Sequence, residues 1–310
     1  MNVHDLAAPV GFLGLFLAAS FLMIWRLEAM ARQGMEGTVL GTLIMPYCTG
    51  MGNLVFTFLW AVRGGSGAEV VTNCLVNNVT NLTLLVGLPI ALWGMRPGVK
   101  LDRGAIIGTL AAAIVFAGAS WAAARAGRIG FVGGAALVAL FLAWQAWHVL
   151  AAARNVAGRP QRYAVLLVID LALLLAGSYA LYASTDGLVR WLSTIPTGFL
   201  SARYMGWLSG WLDVLPNAAL ALYYGWKRQP EVVYTSQIGD GHICIPLCLG
   251  IFALWRPMEL PAFFAGGMII LLGVSLIHLG FVAALGRLPR VAGWALVGAY
   301  GVFLYLGLFR

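Results

Sequence analysis

Charge is scarce in this chain. Asp, Glu, Lys and Arg make up 10% of its 310 residues, against 61% hydrophobic residues and a mean hydropathy of +0.89. Soluble domains carry about a quarter charged residues, so the composition excludes one and points to an integral membrane protein. Cysteine is nearly absent as well. Cys48, Cys74, Cys244 and Cys248 all sit in apolar runs, with no CxxC pair and no His at zinc spacing. That pattern excludes a disulfide framework and a cysteine-based zinc site, and leaves packing. Basic residues never gather into a patch. The 19 Lys and Arg are scattered in ones, twos and threes between apolar runs, so the net charge of +8 is loop charge and no nucleic-acid partner is expected. Gly-x-Gly-Asp, Gly-x-Ser-x-Gly and HExxH are all missing. The first residues, Met1-Asn2-Val3-His4-Asp5, lack the basic stretch of a cleavable signal, and the run behind them leads into Trp25-Arg26. The first helix is therefore expected to stay.

What is present is a succession of apolar runs of spanning length, about ten, near 8–25, 38–62, 69–93, 104–124, 130–151, 164–184, 196–225, 231–254, 260–285 and 292–309. The one plausible linker, 153–162, is polar, holds Pro160 and Gly158, and lies at the midpoint. It divides the chain into residues 1–155 and 156–310, five helices each, and an odd number per half inverts one half relative to the other. Loop charges set the orientation. With the N-terminus outside, twelve basic residues fall on the cytoplasmic side, Arg154, Arg159 and Arg162 among them, and six on the outer side. The expectation is a multi-pass protein of the cell membrane, inner or plasma, with both termini outside.

Polar residues at membrane depth are few and ordered. Asp213 and Asp240 are acids within apolar runs, and a carboxylate there costs at least a few kcal/mol unless it faces an internal cavity. Subtracting 159 pairs Asp240 with Asn81 and Ser236 with Asn77. Asn73, Asn77 and Asn81 recur every four residues, so they line one helical face, with Asn78 beside them. Such a stripe serves either interhelical hydrogen bonding or a ring of oxygen ligands for a dehydrated cation. Thr49-Gly50-Met51-Gly52-Asn53-Leu54 matches Leu208-Ser209-Gly210-Trp211-Leu212-Asp213 under the same offset. Its glycines either open the helix to expose carbonyls or pack helices closely, as Gly206-Trp207-Leu208-Ser209-Gly210 would.

These segments resemble the calcium/cation antiporter superfamily, the sodium/calcium exchangers, as a divergent member. That family carries G-T-S-L-P-E on the second helix of each half and G-S-N-x-x-N on the third. Asn77-Asn78-Val79-Thr80-Asn81-Leu82-Thr83-Leu84-Leu85-Val86-Gly87 resembles its S-N-x-x-N-L-L-L-V-L-G stretch, and Thr235-Ser236-Gln237-Ile238-Gly239-Asp240 the second-repeat version. The resemblance implies an all-α integral membrane fold of ten transmembrane helices in two inverted five-helix repeats. It also implies a secondary-active antiporter, exchanging Ca2+ or another cation for Na+ or H+ by alternating access. Asp213 falls at the family's ligating Glu and Ser209 at its Thr, which makes the implied cation ligands Asp213, Asp240, Asn77, Asn81, Ser236, Ser209 and Asn53. The first-repeat acid falls at Leu54, its Thr at Gly50 and its Pro at Asn53. Leu54 cannot bind a cation, whereas Asn53 could if the helix is turned by one residue.

Ions are cargo on this reading. No cofactor and no enzymatic activity are expected, the partners are the bilayer and small inorganic cations, and the oligomeric state stays open, a monomer included. Two other classes fit the sequence: a sensor or binding protein that kept the exchanger fold without transport, and an intramembrane aspartate-dependent enzyme. Asp170 is expected to be buried and neutral, or paired with a loop Arg. His148, His242 and His278 are expected to be hydrogen-bonded structural residues, with proton relay by His242 as the sharper alternative.

Overall fold

The computed structural model describes residues 3–32, 50–95, 101, 103–156 and 164–309. Its helices are α1 (Val3–Arg32), α2 (Met51–Val62), α3 (Gly67–Trp93), α4 (Arg103–Ala123), α5 (Phe131–Val156) and α6 (Ala164–Ser193). They continue with α7 (Met205–Trp226), α8 (Pro230–Gln237), α9 (Ile243–Trp255), α10 (Phe264–Leu285) and α11 (Arg290–Leu308). Two short strands, β1 (Arg128–Ile129) and β2 (Met258–Glu259), pair antiparallel. Cys48 lies outside the described residues, as do the start of the expected second run and most of the expected mid-chain linker.

Local chemistry sets the boundaries. Ser66 caps α3 by accepting from the Ala68 amide at 3.1 Å. Gly94, with φ +71°, ends α3, and Gly286, with φ +66°, ends α10. Pro230 occupies the first turn of α8, where its missing N–H is harmless. The sequence predicts one continuous run over 231–254. Instead the chain turns through a 3-10 segment, Asp240–His242, and resumes in a π-helical turn, Ile243–Cys248. Ile245 precedes Pro246, which disfavours the helical region for it, and it takes φ −125°, ψ 108°. α3 carries a π-turn as well, over Asn81–Leu85.

Among the described residues four helices are long and apolar enough to cross a membrane: α3, α4, α10 and α11. Shorter apolar stretches lie in α1, α2, α5 and α9. Large apolar side chains such as Val132, Trp147 and Leu175 face outward, as they do where lipid is the solvent. The main core gathers α3, α4, α5, α9, α10 and α11, while α1 and α6 share a core of their own built on Phe16, Met23, Leu174 and Leu181.

The helix ends gather at two levels. At one, Arg63 pairs with Asp186, Gly64 approaches Arg256, Gly67 abuts Met258, and β1 meets β2. At the other, Arg290 donates to the Trp93 carbonyl at 2.9 Å, Gly225 touches Trp93, and Gly286 touches Arg103. Glycines bring backbones together at three crossings. An added Cβ at Gly210 would lie 2.7 Å from Val76, so α7 rides directly on α3. Gly87 of α3 meets Gly293 of α11, and Gly134 of α5 meets Gly250 of α9. A Cβ at any of these four would fall within 2.9 Å of the opposite glycine's carbonyl oxygen.

Candidate functional site

The α7 crossing builds the site. Because Gly206 and Gly210 admit the α3 backbone, Ser209 and Asp213 on the same face of α7 are pressed against the asparagine stripe. The close-packing reading of the glycines is thus the correct one at these two positions, and packing is what delivers the acid. Asn73 donates through Nδ2 to Ser209 Oγ and to Asp213 Oδ2, both at 3.0 Å. Asn77 and Asn81 continue the stripe, joined by a 2.8 Å bond from Asn81 Nδ2 to Asn77 Oδ1. All three asparagines are at most 1% exposed, and Asp213 is 5% exposed.

α2 closes the third side. An added Cβ at Gly52 would stand 2.2 Å from Asp213 Oδ1, so the carboxylate lies on the α2 backbone itself. The next residue, Asn53, is fully buried, whereas Leu54 is half-buried and packs with apolar neighbours. Of these two neighbours in the first repeat, Asn53 is the one turned into the protein interior, next along the chain from the glycine that meets Asp213.

Several polar atoms here are buried without a protein partner: both amide atoms of Asn53, Thr57 Oγ1, Asn73 Oδ1 and Asn77 Nδ2. Buried polar groups normally find hydrogen bonds, so a cluster of this kind is suited to a polar guest. The groups on offer are a carboxylate, amide oxygens and hydroxyls, the hard ligands that suit alkali and alkaline-earth cations. Among the described residues no three His, Cys, Asp or Glu side chains gather in a metal-holding group.

Ser236 lies in α8 and Asp240 opens the 3-10 turn; their side chains are outside the described residues. The turn packs on α3. Gly241 sits so tightly on Asn78 that a Cβ would meet Oδ1, and Asn78 Nδ2 donates to the Cys74 carbonyl at 2.8 Å. A cavity of about 10 Å³, with room for one water, is lined in part by Asn78, Asn81, Gly241 and His242. His242 Nε2 lies 3.1 Å from the Thr109 carbonyl, with its ring edge-on to Phe116 and Trp144. That is the surrounding of a structural histidine. Asp170 is buried and pairs with Arg26 at 3.5 Å, as expected of a non-ligand acid. Cys74, Cys244 and Cys248 are buried in the main core.

Two residues central to this geometry were left out of the expected ligand set. Asn73 belongs to the stripe by its spacing and proves to be its hub. Thr57, one turn beyond Asn53, had only that four-residue interval to mark it.

The family model for "Sodium/calcium exchanger protein" matches residues 6–149. No curated protein sequence matches the chain. Among solved structures, the chain is similar to the sodium-calcium exchanger NCX_Mj soaked with 2.5 mM Na+ and 10 mM Sr2+, with a TM-score of 0.72 at 17% identity over 100% of both chains. It is similar to the same exchanger in 2.5 mM Na+ and 0.1 mM Ca2+, with a TM-score of 0.70 at 18% identity over 100% of both chains. With zero Na+ and Ca2+ the TM-score is 0.65 at 17% identity, over 95% of this chain and 97% of that one. The apolar helices make the chain a multi-pass membrane protein, and the likeness shows that it has the fold of that exchanger. The family model spans less than half of the chain, and the solved structures share its fold at under 25% identity.

Proposed function

We propose that the chain is a secondary-active antiporter that exchanges Ca2+ or another cation for Na+ or H+ by alternating access, with the cation held where α2, α3 and α7 meet. The observation that carries this reading is the contact of Asn73 with Ser209 and Asp213, together with the unpartnered amide of Asn53 next to Gly52, all buried in an apolar molecule. An acid in such a place is a functional residue by default. Asp213, Ser209, Asn53, Asn77 and Asn81 are the proposed ligands on the described side, and Ser236 and Asp240 complete the set from the broken eighth helix. The ions are cargo, and the site has no enzymatic role.

The proposed architecture is ten transmembrane helices in two inverted repeats, residues 1–155 and 156–310. Three features support it. π-turns occur in α3 and at the start of α9. Glycine crossings recur between α3 and α11 and between α9 and α5. The helix ends gather at two levels, as alternating spans require. The level of Arg63, Arg128, Arg190 and Arg256 carries fewer basic residues and is assigned to the outer side of the cell membrane, with both termini.

The test is uptake of radioactive Ca2+ and Na+ into proteoliposomes under imposed Na+ or pH gradients. Gradient-driven uptake of either ion is the expected result. Absence of flux under every gradient refutes transport. Leu54 favours a second reading at that point, since an apolar side chain stands where the family's acid falls. Cation binding without flux would assign the chain to a non-transporting sensor on the exchanger fold.

A further inference from the structure

His278 is not one of the proposed ligands, yet it bonds to the helix that carries two of them. It lies in the middle of α10, fully buried, and its Nε2 stands 2.8 Å from the carbonyl oxygen of Leu82. Leu82 follows Asn81 directly and belongs to the π-turn Asn81–Leu85. A carbonyl only accepts, so Nε2 carries the hydrogen, and in the neutral ring Nδ1 carries the lone pair. The same imidazole lies against Tyr234 of α8, with ring centroids 5.5 Å apart. One side chain therefore touches α3 just past its asparagine stripe and also touches α8, the helix of Ser236.

The π-turn matters because it sets the phase of α3. Before it, Asn73 bonds to Ser209 and Asp213 of α7, and Asn77 follows it one turn on along the same stripe. After it, Gly87 faces Gly293 of α11 across a contact too close for a side chain. Each residue advances an α-helix by about 100°, and a π-turn takes up one extra residue. Removing it would swing the stripe by about that angle relative to the Gly87 contact. Both faces are satisfied together only while the π-turn persists. A lateral donor to a carbonyl inside that turn favours it over regular α geometry, and His278 is that donor.

We propose that His278 is the positioning residue of the cation site: its Nε2–H holds the π-turn of α3 through the Leu82 carbonyl and so sets the direction of Asn77 and Asn81. The proposal rests on the cation site described above, and its test separates the two. The purified full-length chain is melted in detergent, read by its tryptophan fluorescence, and titrated with Na+ and, separately, with Ca2+. His278→Gln keeps an N–H donor, while His278→Leu and His278→Met remove it with two different shapes. The expected result is half-saturation weakened about tenfold in the Leu and Met variants, with the Gln variant within about threefold of wild type. A wild-type melt that responds to neither cation refutes the cation site, and this proposal with it. Wild-type half-saturation in all three variants refutes the positioning role and leaves the site standing. Equal weakening in all three, Gln included, assigns His278 to ring packing and overturns the proposal. Failure of all three to fold assigns it to stability alone and does the same.

Discussion

Asp213 accepts an amide bond from Asn73 and rests on the bare backbone of Gly52. Replacing it by Asn keeps size and shape but removes the one carboxylate that this cluster contains among the described residues. Asp213→Asn should abolish cation-driven exchange, because neutral oxygens alone do not offset the dehydration of a divalent ion in a low-dielectric cavity. Tracer uptake into proteoliposomes checks this, with an unchanged melting temperature to show that the fold survives. Asn53→Asp tests the other side of the site. A second acid beside Asp213 should raise Ca2+ affinity by about tenfold or more, read as Ca2+ competition against tracer. If the natural cargo is monovalent, the same variant should hold its cation and exchange more slowly. At this scale the asparagine stripe was legible, since intervals of four on a helix can only mean one face. The register of α2 was not. A shift of one residue turns a helix by about 100°, and a segment without the family's proline and acid offers nothing to fix it. Burial of Asn53 against the half-exposure of Leu54 supplies what the letters did not.

The elements carry the next layer of dependence, and α7 shows it. Its N-terminus is held by Glu69, whose Oε2 accepts from the Gly206 amide at 2.5 Å, a carboxylate at the positive end of a helix. One turn on, Gly210 lies against Val76. Gly210→Ala should cost about 1–3 kcal/mol in overpacking, and it should also weaken cation binding, because the only relief is to move α7, and Asp213 with it, away from Asn73. Thermal melting measures the first effect, and cation titration of the surviving folded protein the second. Glu69→Gln should cost less, about 1 kcal/mol, and leave cation affinity near wild type. Helix existence was readable from apolar runs of spanning length. The break between α8 and α9 was not. Gly239 and Gly241 are tolerated within helices, and Pro246 alone signals a kink as readily as a break. The packing of Gly241 onto Asn78 supplies the reason the chain leaves the helix there.

At the scale of the whole molecule, the glycine crossings have a consequence for assembly. α3 of the first half is gripped by α11 of the second, and α9 of the second by α5 of the first. Each half therefore lends its last helix to the other, like two hands each closing on the opposite wrist. Neither half covers the glycine face of its own gripped helix, α3 or α9, so neither should accumulate when made alone. A chain cut between α5 and α6, with the two pieces co-expressed in one membrane, should instead yield a complex that purifies through a tag on either piece and melts as one unit. Independent accumulation of residues 1–155 would show that the grip is dispensable. Its absence, with recovery on co-expression, would mean that the halves are obligate partners that happen to share one chain.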